Sequence, residues 1–274
     1  VNDTFMKAVT QTLPLYQTIA LRGLIAVLGL LLVARLTRSF TLALPRQAFG
    51  LIALRSMADV AATILFLTAL MHMPLANLSA VMQATPLAVT LGAALYYKDK
   101  VGWRRMTAIL IGFAGVMIIL RPGSDGFDVW SVMGLASVLA VVVRDLAVRP
   151  LPRDVPSIMV ALGAGVAVTL MGLVGVLFQG WQPVSLLHFA QIIGAGVMLT
   201  IGYICAVTAM RVGDVGFVAP FRYMSLMWAI LLGWVAFGSL PDLWAVVGAL
   251  IVVATGIYTL WRERKRRLES TAKA

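Results

Sequence analysis

The chain has 274 residues, 61% hydrophobic and only 12% charged, with a mean hydropathy of +0.96. A soluble domain carries about 25% charged residues, and no soluble fold needs so many apolar segments near the ~20 residues that cross a bilayer; the composition excludes a soluble enzyme or binding module and points to an integral membrane protein. The 22 Lys and Arg against 11 Asp and Glu would suit nucleic acid or anionic lipid, a question settled by where they fall.

An incomplete span over Val1 to about Thr12 opens the chain. Nine full spans follow: roughly Tyr16–Ala34, Phe49–Leu70, Leu75–Tyr97, Met106–Leu120, Val129–Val148, Ser157–Phe178, Ala190–Met210, Phe217–Phe237 and Leu243–Trp261. All are expected to be helices, because hydrocarbon leaves a lone segment no other way to pair its backbone. The short alternating strands of a transmembrane barrel are missing. The 24 glycines suit close helix packing in lipid. The opening segment lacks the basic start, apolar middle and small-residue cleavage site of a signal peptide.

The basic residues alternate by loop. Arg35, Arg38 and Arg46 precede the third span, and Lys98, Lys100, Arg104 and Arg105 follow the fourth. Arg149 and Arg153 come next on that side, then Arg211, then the tail RERKRR with Lys273. These make sixteen bases, and the opposite loops hold only Arg121. The positive-inside rule makes the first set cytoplasmic, which puts the C-terminus inside. The charge is a topology signal rather than a nucleic-acid surface. The tail from 263 to 274 is expected to anchor at the inner face, with contact to anionic lipid as the other reading.

A shift of 141 residues lays Ala88, Leu91, Gly92, Trp103, Ala108, Gly115 and Arg121 on Ala229, Leu232, Gly233, Trp244, Ala249, Gly256 and Arg262. Earlier the offset falls to about 138, matching Leu13-Pro14 with Leu151-Pro152. The small pairs Ala88/Gly92 and Ala229/Gly233 are expected helix-packing positions. Two five-helix copies are expected, 1–122 and 129–262. Five is odd, so the second copy enters from the opposite face and the repeats are inverted, an architecture of secondary transporters that bind substrate near the midplane. The same offset places the start of the first copy before residue 1, so the first helix is expected to be incomplete here.

Two runs carry a resemblance: PLANLSAVMQATPLAVTLGAALYYKDKVGWRRMTAILIGFAGVMIILRPG and VGDVGFVAPFRYMSLMWAILLGWVAFGSLPDLWAVVGALIVVATGIYTLWRER. Each has a Pro-containing helix, a short turn, Trp103 or Trp244, and a small-residue helix. They resemble the closing halves of EamA-type repeats in the drug/metabolite transporter superfamily. The acidic residue before the basic turn is Asp99 in the first copy, and its counterpart near Ser239 is missing. The resemblance implies ten helices, inverted repeats and alternating access for amino acids, other small metabolites or vitamins.

Ionisable groups inside the spans cost about 2.5–3.5 kcal/mol each at a helix centre, so they pair or they work. Arg55 and Asp59 are four apart on one helix face. For Arg55, a neutralised pair snorkelling to the inner interface stands beside a binding role; Asp59 lies deeper and is assigned a functional role. Asp3 and Lys7 repeat the spacing. Arg22 and Arg222 lie within spans two and nine, and Arg144 with Asp145 near the inner end of span six, at the interface or inside it. The excess of cations suggests a site for a carboxylate or other anion, held by Arg22, Arg55 or Arg222. Asp59 and Asp3 are the proton-coupling candidates, since a carboxyl removed from water holds its proton more tightly. Gln83, with Thr85 and Pro86 in span four, Tyr203, Tyr223 and Trp228 complete the expected substrate-binding set, against a plain kink or plain packing; Asn77 and Ser79 read as interfacial.

Catalytic chemistry has no footing in these residues. His72 and His188 fall in predicted outer loops, Cys205 has no neighbouring His, and the zinc, nucleophile-elbow and phosphate-loop motifs are absent. No metal site or bound cofactor is expected. The expected function is alternating-access transport of a small polar metabolite across a bacterial inner membrane. An amino acid or related carboxylate, exported, is favoured. Uptake of riboflavin or S-adenosylmethionine is the alternative, and a membrane enzyme on a lipid-linked substrate is the alternative of another class. The expected partners are the solute and the bilayer, with the protein a monomer or homodimer and no nucleic acid.

Overall fold

The computed structural model describes residues 1–38, 40, 46–99, 101–122, 128–151, 155–212 and 219–271. Every regular element among them is a helix: α1 (Asn2–Val9), α2 (Leu15–Leu36), α3 (Arg46–His72), α4 (Leu75–Met82), α5 (Thr85–Tyr96), α6 (Trp103–Leu120), α7 (Val129–Val148), α8 (Ser157–Gln179), α9 (Leu186–Val212), a 3₁₀ turn (Ala219–Tyr223), α10 (Met224–Phe237) and α11 (Leu243–Thr271). With α4 and α5 as halves of one span, and the 3₁₀ turn and α10 as another, ten helical segments are described. Eight are long and apolar enough to cross a membrane. The chain is an all-α, multi-pass membrane protein.

The element ends follow local chemistry. Pro14, Pro74 and Pro156 sit at the N-caps of α2, α4 and α8, where a missing N–H costs nothing. The span expected over Leu75–Tyr97 is broken at Gln83 and Ala84, ahead of Pro86, whose ring cannot sit against a regular preceding turn. The span expected from Phe217 begins as the 3₁₀ turn after Pro220, and residues 213–218 lie outside the described set. The last helix runs ten residues beyond the expected Trp261, because RERKRRLES consists mostly of good helix formers. His72 and His188, expected in loops, occupy the last turn of α3 and the first turn of α9.

The chain divides into two compact units, Val1–Met71 with Leu139–Val207, and His72–Val138 with Thr208–Ala274. Each takes one stretch from each sequence copy. In the first unit α2 lies along α8. A Cβ on Gly172 would stand 2.7 Å from the Ala20 nitrogen, and one on Gly175 would run into the Tyr16 ring. Gln17, fully buried, donates from Nε2 to the Gln182 carbonyl (2.7 Å) and accepts from its N–H (3.0 Å), closing one end of this unit.

In the second unit α6 lies along α11. A Cβ on Gly248 would be 2.5 Å from the Gly115 carbonyl oxygen, and one on Gly115 2.9 Å from that of Gly248. Both pairs of helices are counterparts under the repeat offset. Of the four expected packing positions, Ala88 and Ala229 are buried and Gly92 half-buried, and a Cβ on Gly233 would meet only ordinary contacts at 3.5 Å or more. Gly115 and Gly248, outside the expected set, therefore approach their neighbours more closely than Gly233 does. Gly248→Val should force the helices apart and lower stability by about 1–3 kcal/mol, the usual effect of overpacking. Thermal unfolding in detergent checks this, with the exposed Gly50→Val as the control that should shift little.

Candidate functional site

Within the first unit, α2, α3, α7, α8 and α9 line a cavity of about 290 Å³. Its polar lining is Arg22, Arg55, Asp59, Thr63, Arg144, Thr200 and Tyr203, set in walls of Ala, Leu and Val. On α3 the spacing of four puts Arg55, Asp59 and Thr63 on one face. Arg22 is aimed from α2, where α9 presses close: a Cβ on Gly196 would stand 2.7 Å from Ile25 Cγ2 and 3.2 Å from the Arg22 carbonyl oxygen. Glycine at 196 lets α9 seat against the turn that carries Arg22.

Four charges form one chain. Arg55 Nη1 reaches Asp59 Oδ2 at 3.1 Å, Arg144 Nη1 reaches Asp59 Oδ1 at 3.2 Å, and Arg144 Nε donates to Asp145 Oδ1 at 2.8 Å. Arg55 Nη1 also donates to the Val160 carbonyl at 3.3 Å. Two guanidiniums and two carboxylates cancel. Each Asp59 oxygen serves a different arginine, so the carboxylate is a bridge rather than half of a private pair.

Arg22 stands outside this chain. Its residue is only 7% exposed, its Nε is buried, and its guanidinium makes no hydrogen bond among the described residues. Asp3 is the acid whose field reaches it, while the Asp3 Oδ1 itself accepts from Asn2 Nδ2 at 2.8 Å. Neighbouring hydroxyls are engaged within their own helices, Thr200 to the Gly196 carbonyl and Thr169 to that of Gly165. Tyr203 Oη donates to the Ser157 carbonyl at 2.6 Å. Arg22 is thus a buried cation facing a polar space with donor capacity to spare.

Of the expected binding residues, Arg22, Arg55, Asp59 and Tyr203 meet at this cavity. Gln83, Arg222, Tyr223 and Trp228 belong to the second unit, and none lines it. Gln83 Nε2 donates to Ser225 Oγ (2.8 Å) and to the Arg222 carbonyl (3.4 Å), bridging the α4–α5 break and the 3₁₀ turn. Arg222 was expected among the buried charges; it lies in the 3₁₀ turn and is exposed. Trp228, expected as a stacking residue, is 54% exposed. Tyr223 is buried with its hydroxyl against Gly256. Lys7 is buried in α1. Arg144 and Thr200 were not in the expected set: the adjacent Arg144-Asp145 pair was a signal, while nothing marked Thr200.

The EamA-like transporter family model matches residues 1–121 and 129–261. The chain belongs to the EamA-like transporter family. The EamA-like protein is 34% identical over 227 residues to a riboflavin transporter of Vibrio cholerae, covering 81% of this chain and 76% of that one. It is 25% identical over 267 residues to the pseudopaline exporter CntI of Pseudomonas aeruginosa, covering 94% and 90%. A solved crystal structure, 18% identical, shares its fold with a TM-score of 0.65 over 94% of each chain. This EamA-like protein is a small-molecule transporter of the drug/metabolite transporter superfamily, not an enzyme. Among the described residues no cluster of three or more His, Cys, Asp or Glu is placed to hold a metal.

Proposed function

We propose that this EamA-like protein is a secondary active transporter of a small polar organic metabolite bearing a carboxylate or comparable acceptor, exported across a bacterial inner membrane with the C-terminus in the cytoplasm. The observation that carries the reading is Arg22, a buried guanidinium with no hydrogen-bond partner among the described residues, facing a polar cavity. Burying a cation is costly, and a fork of free donors is complementary to a carboxylate. In this mechanism the solute's anionic group docks on Arg22, and the walls of Ala, Leu and Val hold its apolar part. Asp59 is the group through which a proton or a substrate ammonium acts: taking up a proton loosens its hold on Arg55 and Arg144 together. Two sequence copies moving against one another expose the site to each side in turn.

A second reading is favoured by one specific observation, the 34% identity to a riboflavin transporter. Under it the solute is a flavin taken up by the cell, and Arg22 donates to ring carbonyls rather than to a carboxylate.

The test is thermal unfolding of the detergent-purified protein against amino acids, dicarboxylates, riboflavin and S-adenosylmethionine, followed by counterflow in proteoliposomes. A ligand at 100 times its Kd stabilises by about 2.7 kcal/mol. Stabilisation by carboxylate-bearing solutes alone supports the first reading, and by riboflavin alone the second. A stabilising solute that shows no counterflow ends both.

A further inference from the structure

The second unit carries a separate site. A groove of about 510 Å³ runs between the start of α6 and the late part of α11, bounded by Trp103, Arg104, Ile111, Ala254 and Tyr258. The volume lies within the ~300–1,000 Å³ of small-molecule sites. Its floor is low because small residues, Ala108 and Ala254, stand where larger ones would fill it. Two threonines on the groove bond to their own helices, Thr107 Oγ1 to the Trp103 carbonyl (2.9 Å) and Thr255 Oγ1 to those of Ile251 (2.7 Å) and Val252 (3.0 Å). Their hydroxyls are spent, so methyl groups face the space and the channel is apolar.

One end of the groove is different. Trp103 is 73% exposed, with the Arg104 guanidinium 5.3 Å from its ring centre. Across the antiparallel pair, Tyr258 and Trp261 have ring centres 6.1 Å apart, and Lys265 Nζ lies 5.8 Å from the Trp261 ring. Among the described residues no carboxylate pairs with Arg104. Amphipathic rings and cations gathered at one helix end mark the level of lipid head groups, and basic pockets between membrane helices take anionic head groups.

We propose that this groove binds one anionic phospholipid, its phosphate at Arg104 and one acyl chain laid along Ala108, Ile111 and Ala254. The charged mouth selects the head group, and the methyl-lined channel requires the chain. A water-soluble anion would use only the first half.

The full-length protein in detergent, titrated with phosphatidylglycerol or phosphatidylcholine, tests this by native mass spectrometry of the tightest retained lipid. Phosphatidylglycerol should be retained about fivefold better, the equivalent of ~1 kcal/mol per basic residue. Arg104→Gln, at an exposed position, should erase that preference, and Ala254→Trp should reduce retention with Arg104 intact. Inorganic phosphate should not displace the lipid. An unchanged preference in Arg104→Gln, undiminished retention in Ala254→Trp, or displacement by phosphate alone each overturns the proposal.

Discussion

Arg22→Gln should weaken substrate binding about 10- to 100-fold, because a hydrogen-bonded contact to a charged group is worth ~1.5–3 kcal/mol. The same change should raise the unfolding temperature of the ligand-free protein. The guanidinium is buried without a hydrogen-bond partner among the described residues, and the field of Asp3 offsets only part of its desolvation, so its removal relieves a cost. This opposite movement, lower affinity with higher stability, separates a binding residue from a structural one. A structural arginine would lose stability on substitution. Arg22→Lys keeps the charge but not the planar fork and should recover only part of the affinity. Ligand titration by thermal shift reads both quantities in one experiment, and affinity unchanged in Arg22→Gln would remove Arg22 from the site.

Asp59→Asn should be destabilising by about 2–4 kcal/mol. Losing one partner of a fully buried ion pair costs ~3–5 kcal/mol, and the Asp59 side chain retains 16% exposure. The loss is shared by two arginines at 3.1 and 3.2 Å, which then face one another without the intervening charge. Arg144→Gln in the same chain should restore part of the stability, and that non-additivity is the signature of a bridging carboxylate. In proteoliposomes Asp59→Asn should abolish accumulation driven by a proton gradient while counterflow persists, since exchange needs no net proton movement. Proton-driven accumulation at the original level would show that the coupling lies elsewhere.

How far the residues alone could lead is visible in these two cases. Hydropathy found the spans, since length and apolar character are sufficient in lipid. The spacing of four in Arg55 and Asp59 placed them on one face, and the Pro86 break was legible from the missing N–H. Arg144 was visible as a charge but not as the partner of Asp59, 85 residues away, because periodicity says which face a residue occupies and nothing about which helix lies opposite. The exposure of Arg222 and Trp228 was not legible for a related reason. In a membrane protein the outer face is as apolar as the core, so an aromatic or a snorkelling cation reads the same on either side. The glycine approaches at Gly115 and Gly248 were hidden among the chain's 24 glycines, where only contact geometry tells one from another.

Gln83 holds a further implication. The break at Gln83 and Ala84 and the 3₁₀ turn at Ala219–Tyr223 each leave backbone groups that a regular helix would have satisfied, in surroundings where water is scarce. The Gln83 amide reaches the Arg222 carbonyl and the Ser225 hydroxyl, 139 and 142 residues away, near the spacing of the two copies. The Gln83 side chain at the first irregularity thus completes groups at the second. An apolar residue at position 83 would remove both of these bonds, whereas a new side chain at 222 would leave them in place, because the partner there is the backbone carbonyl. Two stretches at matching places in the two copies are thus tied together by one side chain, and position 83 is where that tie can be cut.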